Sequence, residues 1–506
     1  MFQVTCLGHH CWLLSTGATS ILVDPLLGDR FGFTDSVELR VYPPRVFDFS
    51  EFPPVDAVFI THEHEGHVDI PSLHRLDRRI PVHLSARSSV ATRKLVSEMG
   101  FPLRLAHPGV RIDVGDLHLL PMTADQVRHG VIEEWDVLPY LVWDRAQHGS
   151  FFSNVDMRAN PEMWRLASRT IARPGLWCHT TNASVVDFAF CWDMPPARSL
   201  DSYVRKVMDD HGRLTEEWDA PAACMVVGGG WSFGGDQAWI NRNHFPFENE
   251  QAAAVLSTLL PGERVLAPQP GTRISMRDGA ICAVEETTRF VRAAPRSGWP
   301  SRTYVGDVDF LDAYTPATGR TELPEADVPA LERELGRFAR HLYASDTFRR
   351  LYSLTAADLG GKKPTFALLL KADASDGAFV MEYEPQSCSF VPVECNDPIG
   401  TYLAVYECWA TDLLAHLRAE ISPNAVGFGR HREWNANPEA FRFSLEDRLF
   451  EYMHQLRHPK RFLALYRAVL AAQPDVPMPI RAGAKARPSA KVADAGHSSA
   501  ARASSR

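Results

Sequence analysis

The sequence predicts a mixed protein, α/β or α+β, in which layers of sheet and helix alternate. Three observations predict it. Short apolar runs rich in β-branched and aromatic residues, each closed by a turn signal, fill the first 160 residues. Stretches with apolar residues at helical spacing separate them. A second set of strand and helix patterns follows a seam rich in Pro, Arg and Thr near residues 295–327.

Taken in order, Phe2–Cys6 and Cys11–Ser15 read as strands flanking a Gly8-His9-His10 turn. Thr16-Gly17-Ala18 turns the chain into Thr19–Val23, an apolar run that ends in Asp24-Pro25. Val55–Thr61 is a buried-strand run. Ser88–Met99 reads as a helix, with Val90, Leu95, Val96 and Met99 at helical spacing. Val110–Met122, Tyr140–Trp143 and Ser150–Val155 read as strands, and Cys224–Val227 as a strand entering Gly228-Gly229-Gly230. The second unit opens with a helix over Asp327–Ala344. Strands over Thr365–Ala372 and Ala378–Glu384 follow, then a helix over Tyr402–Glu420. From Val476 the chain is Ala/Ser/Arg/Lys-rich with almost no large apolar residues, the composition of a disordered tail. The expected units are therefore 1–295, 325–475 and a tail over 476–506.

Composition narrows the function. At 506 residues the chain exceeds a single core, which stops growing beyond about 250–300 residues. Hydrophobic residues at 45% and charged residues at 23% are ordinary for a globular protein. A net charge of −9 argues against a broad grip on nucleic acid. No apolar run reaches the roughly 18 residues of a membrane span, so no membrane partner is expected. The N-terminal MFQVTCLGHHCWLL lacks a basic leader and reads as the first strand. The nine cysteines contain no CxxC pair, which fits reduced thiols and a cytoplasmic location.

Chemistry concentrates in Thr61-His62-Glu63-His64-Glu65-Gly66-His67-Val68-Asp69. His62 and His64 are two apart, so in an extended loop their rings project to one side. Gly66 permits a turn that brings His67 back toward them. Imidazole suits zinc and ferrous iron, and ligand bonds of about 2.0–2.1 Å demand such convergence. The helical HExxH motif does not fit, because Gly66 stands four residues after His62.

With these residues in place, the chain over about 1–290 resembles the metallo-β-lactamase superfamily, whose motif after a strand is HxHxDH. VTCLGHHCWLLSTGATSILVDPLL is similar to the family's first hairpin, and DAVFITHEHEGHVDIPSL to its metal loop and following helix. The resemblance implies an α+β fold, a four-layer αββα sandwich, here with an additional C-terminal α+β domain. GSFFSNVDM gives Asp156 the role of the carboxylate that usually bridges two metals, and WINRNHFPFENEQAA gives His244 that of the last histidine ligand. VDMRANP and LAPQPGTRI resemble the branch holding ascorbate-phosphate lactonases and the β-lactamase-like part of CMP-N-acetylneuraminate hydroxylase. The Rieske Cys/His pairs of that hydroxylase are absent, so no iron–sulfur cluster is implied.

Two departures bear on the metal count. Gly66 stands where the family has an aspartate, with Glu65 or Asp69 as possible substitutes. TADQVRHG offers Gln126 or His129 for a further ligand, and His129 is taken. The resemblance then implies one ion on His62, His64, His129 and Asp156, and a weaker second site on His67, His244 and Asp156, with Zn, Fe or Mn as the metal. Asp156 and His244 are the expected catalytic residues. The function implied is hydrolysis of a small polar metabolite, a lactone, ester or phosphoester, by metal-activated water. A non-haem iron oxygenase or a non-catalytic metal-binding module are the alternatives, the first because two histidines and a carboxylate also serve iron oxygenases.

Outside the motif, His9 is placed equally in the site or in the turn. Asp24 is expected to order the metal loop through its backbone. His107 reads as surface, and His83 and His118 as strand residues. Cys178 and His179 read as core next to Trp177, and Arg158 as an anion contact or a surface ion pair. Gly228–Gly235 reads as a tight loop at the site mouth. His431, His454 and His458 read as surface positions, and the aromatic C-terminal unit as a lid or interaction domain.

Overall fold

The computed structural model describes residues 1–123, 137–157, 160–181, 199–302, 315–373, 377–422, 424–437, 459–474 and 480–485, with residues 441, 445, 448, 449 and 452. Two sheets form the N-terminal unit. The first has eight strands in the order Ala280–Glu285, Arg273–Arg277, Phe2–Gly8, Cys11–Ser15, Ser20–Val23, Ala57–Ile60, Val82–Ser85 and Leu103–Ala106. The second has seven, in the order Ile112–Val114, Leu117–Pro121, Tyr140–Asp144, Ser150–Ser153, Leu176–Thr180, Ala223–Val227 and Val265–Leu266.

The strand period of two explains the layering. In the first sheet Trp12, Leu14, Ile21, Val23, Ala57 and Phe59 join one apolar cluster with Leu119, Tyr140, Val142, Phe151 and Trp177 of the second sheet. Their neighbours Cys11, Leu13, Leu22, Val58 and Ile60 join the other cluster, with Leu73, Leu95 and Val96 of the helices. Helices Ile70–His74 and Val90–Glu98 therefore cover one outer face, while Pro161–Thr170, Leu200–Glu217 and Asn249–Leu259 share the second sheet's cluster. This is the αββα sandwich. The run expected as one strand over Val110–Met122 is a hairpin, because Gly115 turns it with φ +57.

The C-terminal unit is a five-stranded sheet in the order Ser389–Val393, Ala378–Glu384, Lys363–Lys371, Tyr402–Trp409 and His431–Asn435, backed by helix Val328–Ala344. The helix expected over Tyr402–Glu420 begins only at Ala410. Its first half, YLAVYECW, pairs in parallel with Lys363–Lys371 and antiparallel with His431–Asn435, and a β-branched and aromatic run suits such a central strand. His431 is also not at the surface. It is buried, stacks on Tyr406 at 4.7 Å and donates from Nδ1 to the Val426 carbonyl at 2.9 Å. His454 and His458 lie outside the described residues.

One continuous apolar cluster joins the two units. Helix Pro459–Ala471 packs against Val90–Glu98, and Tyr466 meets Phe33 at 4.8 Å between ring centres. The tail expected over 476–506 needs correction at 480–485. Ile480 is fully buried, Val55 N–H donates to the Arg481 carbonyl at 2.9 Å, and Gly483 N–H donates to the Val55 carbonyl at 2.8 Å. Ile480, the last apolar residue of Val476-Pro477-Met478-Pro479-Ile480, supplies the anchor. Ile480→Ala is expected to cost about 2–5 kcal/mol in urea unfolding.

Burial pushes His416 and His431 down from 6.5 to about 4. Between those values the unfolded chain takes up protons that the folded chain refuses, so stability falls as pH falls through this window. Urea unfolding between about pH 7 and about pH 4 checks this, with His416→Leu expected to give a shallower slope.

Candidate metal centre

Register decides which loops meet. Trp12 pairs with Val23 and Val23 with Phe59, so the His9-His10 turn, Asp24 and the loop after Ile60 emerge at one end of the first sheet. The second sheet adds Asp156, just past Ser150–Ser153. Three residues here hold left-handed backbone without being glycine: His9 at φ 53, Asp24 at φ 45 and Val155 at φ 55. For a β-branched residue such as Val155 this is an outlier of the kind that concentrates at functional sites.

Asp24 organises the loop. Its Oδ1 accepts from Thr61 N–H at 2.8 Å, and its Oδ2 from Thr61 Oγ1 at 2.8 Å and His67 Nδ1 at 2.8 Å. The tautomer of His62 follows. Thr61 Oγ1 gives its only proton to Asp24, so at 2.9 Å it accepts from His62 Nδ1. The lone pair of His62 then sits on Nε2, which faces Asp156 Oδ2 at 3.4 Å and makes no hydrogen bond. Burial and the neighbouring imidazoles of His67 and His64 hold His62 well below its ordinary value, so the ring is neutral. A lone pair facing a carboxylate oxygen is repulsive unless a cation lies between them.

His62, His64 and Asp156 offer ligand atoms within 4.8 Å of one another. His67 lies beside them, its ring centre 3.9 Å from that of His62 and its Nε2 3.2 Å from Asp156 Oδ2. Burial alone would depress His67, but Asp24 and Asp156 flank it and raise it to about 10. Asp156 moves the opposite way: burial would raise it, yet His67, His10 and His62 hold it well below the carboxylate range.

The other expected residues fall differently. His244 is buried among Phe245, Phe233 and Trp231, at 4.8, 5.4 and 5.6 Å between ring centres. The structure does not bring it into the cluster of His62, His64 and Asp156. Burial, then Arg302, lowers it to about 3, and its Nε2 has no hydrogen-bond partner. His129, Gln126 and Arg158 lie outside the described residues. Neither candidate substitute for the carboxylate at 66 faces the cluster. Glu65 accepts from Phe33 N–H at 3.1 Å, from Ser422 Oγ and from Asn424 Nδ2 at 2.8 Å, and Asp69 caps the next helix at Ser72 N–H, 2.9 Å away. Glu63 turns to Ser89 N–H at the start of Val90–Glu98. His107 is exposed, His118 pairs with Asp113, and Cys178 and His179 are buried, the latter against Asp210 at 3.2 Å.

Sequence reasoning missed His10, whose Nε2 lies 3.6 Å from Asp156 Oδ1. The signal was present: a turn beside a strand pairing with Ser20–Val23 must open at the same end as Asp24. The structure also accounts for Gly66. A Cβ there would lie 2.5 Å from His9 Nε2, and a Cβ at Gly230 would lie 2.6 Å from His9 Cα. His9 thus occupies the volume of a side chain at 66, pressed from behind by the glycine loop.

Residues 3–136 match the model of the beta-lactamase superfamily domain, and the N-terminal unit has the metallo-β-lactamase fold. Protein Rv0786c of Mycobacterium tuberculosis is 26% identical over 221 residues, 42% of this chain and 92% of that protein. Uncharacterized protein Rv0906 of the same organism is 38% identical over 71 residues, 14% of this chain. This chain spans only 19% of the length of that relative. Among solved structures, CmlA, a diiron beta-hydroxylase from Streptomyces venezuelae, is similar over 55% of this chain and 54% of that one, with 15% identity and a TM-score of 0.34. The isothiocyanate hydrolase from Delia radicum gut bacteria is similar over 54% of this chain and 99% of that one, with 13% identity and a TM-score of 0.39.

Gly66→Ala is expected to destabilise by about 1–3 kcal/mol through overpacking. His9→Asn in the same chain should recover most of the loss, since Asn vacates the volume and tolerates left-handed backbone. Thermal melts of the single and double variants check both.

Proposed function

We propose that this chain is a metal-dependent hydrolase of a small polar metabolite (a lactone, ester or phosphoester), with a divalent ion held by His62, His64 and Asp156. One observation carries the reading: the lone-pair nitrogen of buried His62 faces the carboxylate of Asp156 at 3.4 Å with no hydrogen bond. Zn, Fe or Mn suits this donor set. His129 is proposed as a further ligand from the sequence alone.

A bound divalent ion supplies a nucleophilic water near neutral pH and polarises a carbonyl or phosphoryl oxygen. The chain's own residues do the positioning. Thr61 fixes the His62 tautomer, Asp24 orients His67 through Nδ1, and Asp156 presents two oxygens to the cluster. His244, neutral and buried, is proposed to face the substrate side from its aromatic setting. The described cysteines are free thiols, which supports a cytoplasmic setting. No helix among the described residues is long and apolar enough to cross a membrane.

The second reading is a non-haem iron oxygenase, favoured by two histidines and one carboxylate in the converging set. Metal analysis of protein purified without added metal, with oxygen uptake, separates the two. Zinc or manganese and oxygen-independent turnover support the hydrolase, whereas iron with oxygen consumption supports the oxygenase. His62→Ala/His64→Ala is expected to lose both the metal and the turnover on lactone, ester and phosphodiester substrates. Unchanged turnover in that variant removes metal chemistry from both readings.

A further inference from the structure

His64 offers a ligand atom to the converging cluster, and both its neighbours along the chain are glutamates. Glu63 and Glu65 are buried, and both turn away from the cluster. A carboxylate taken out of water must be given donors. What holds these two side chains therefore also holds the peptide between them, which carries His64. His62, by contrast, is fixed from within the loop by Thr61.

Two of the three donors to Glu65 come from the C-terminal unit. Phe33 N–H and the Ser422 hydroxyl donate to Oε1, the former at 3.1 Å, and Asn424 Nδ2 donates to Oε2 at 2.8 Å. Ser422 is itself held in place, its N–H donating to Thr34 Oγ1 at 3.2 Å and Ser36 Oγ at 3.3 Å. Asn424 N–H donates back to Ser422 Oγ at 3.2 Å. A second route reaches Glu63, which accepts from Ser89 N–H. Ser89 Oγ accepts from Thr92 N–H at 3.2 Å, and Thr92 Oγ1 donates to Tyr466 Oη at 3.3 Å. The Tyr466 ring also packs on Phe33 at 4.8 Å, so one aromatic residue of the C-terminal unit touches both routes.

We propose that Ser422 and Asn424 are positioning residues of the metal centre: the C-terminal unit clamps Glu65, fixes the backbone at His64, and so governs how long the ion is retained. This rests on the metal-site reading above and adds its control by a distant part of the chain. Ligand bonds of about 2.0–2.1 Å tolerate little displacement, so groups that hold a ligand in place weigh on affinity nearly as the ligand does. Both donors are neutral. They satisfy a buried carboxylate without setting a positive charge beside a cation site.

Release of Co²⁺ from the full-length protein into excess chelator, followed by the visible Co²⁺ absorption bands below the melting transition, tests this without relying on activity. Ser422→Ala/Asn424→Ala is expected to release the ion about 10–100-fold faster than wild type. Asn424→Asp, which sets a second carboxylate against Glu65, should also speed release. Ser422→Thr keeps the hydroxyl and should restore slow release when combined with Asn424. Val380→Ala serves as the control, because it thins the separate apolar cluster on the other face of the C-terminal sheet. It should lower the melting temperature and leave the release rate unchanged. An unchanged rate in Ser422→Ala/Asn424→Ala, or one that Val380→Ala raises equally, overturns the inference and leaves the metal-site reading standing. A wild type that binds no cobalt overturns both. Should the double variant not fold, Asn424→Ala alone carries the same expectation.

Discussion

Two carboxylates, one on each nitrogen of the same imidazole, dictate the rest of this site. Asp24 and Asp156 both contact His67, from Nδ1 at 2.8 Å and Nε2 at 3.2 Å. Burying a carboxylate without compensating positive charge is prohibitive. In the protein alone, the proton that His67 retains up to about 10 provides that charge. A divalent ion between Asp156 and the imidazoles would provide it instead and would release the proton, which couples metal affinity to pH. The same pair of carboxylates therefore fixes the loop's geometry and creates its demand for a cation.

The acidic residues of the loop serve that geometry from the other side. Glu63 ties the loop to the helix beginning at Val90, Asp69 starts the helix at Ile70, and Glu65 binds Ser422 and Asn424 of the C-terminal unit. A carboxylate on each side of the histidines thus points away from the cluster while the rings point in. Through Glu65, the C-terminal unit becomes part of the loop's support. Arg430 reaches the Ser36 carbonyl and Phe428 packs on Phe233 at 5.2 Å, which extends that support to the strand beneath His244. This contact buttresses from behind the loop whose rings define the centre.

Much of this was legible in the sequence because it depends on local pattern. Alternation along Cys11–Ser15, Ser20–Val23 and Ala57–Ile60 gives strands, and three histidines on one loop with a glycine between them give convergence. What was not legible depends on pairing across the chain. YLAVYECW reads equally well as helix or strand until its neighbours Lys363–Lys371 and His431–Asn435 are known. His431 looks like a surface residue until Tyr406 is set against it. Ile480 ends a short proline-interrupted run, Val476-Pro477-Met478-Pro479-Ile480, and the bridges to Leu76 and Val55 give the segment its place. His10, by contrast, follows from the local hairpin, because the turn before Cys11 opens at the same end of the sheet as Asp24.

Gly66 shows how a departure from a motif acquires meaning once volume is considered. Read along the chain, the missing side chain is a loss of one ligand. Read in space, the position is filled, because His9 Nε2 lies within 2.5 Å of the site a Cβ would take. Filling it imposes conditions elsewhere: left-handed backbone at His9, a glycine at 230 so that the loop can press against His9 Cα, and Arg45 donating to the Leu7, Leu26 and Gly28 carbonyls to hold the turn. A residue lost by drift would leave space that neighbours relax into, without strained backbone around it. Strain, close approach and a buried cation gathered around one imidazole are instead the marks of a position that the fold is built to hold.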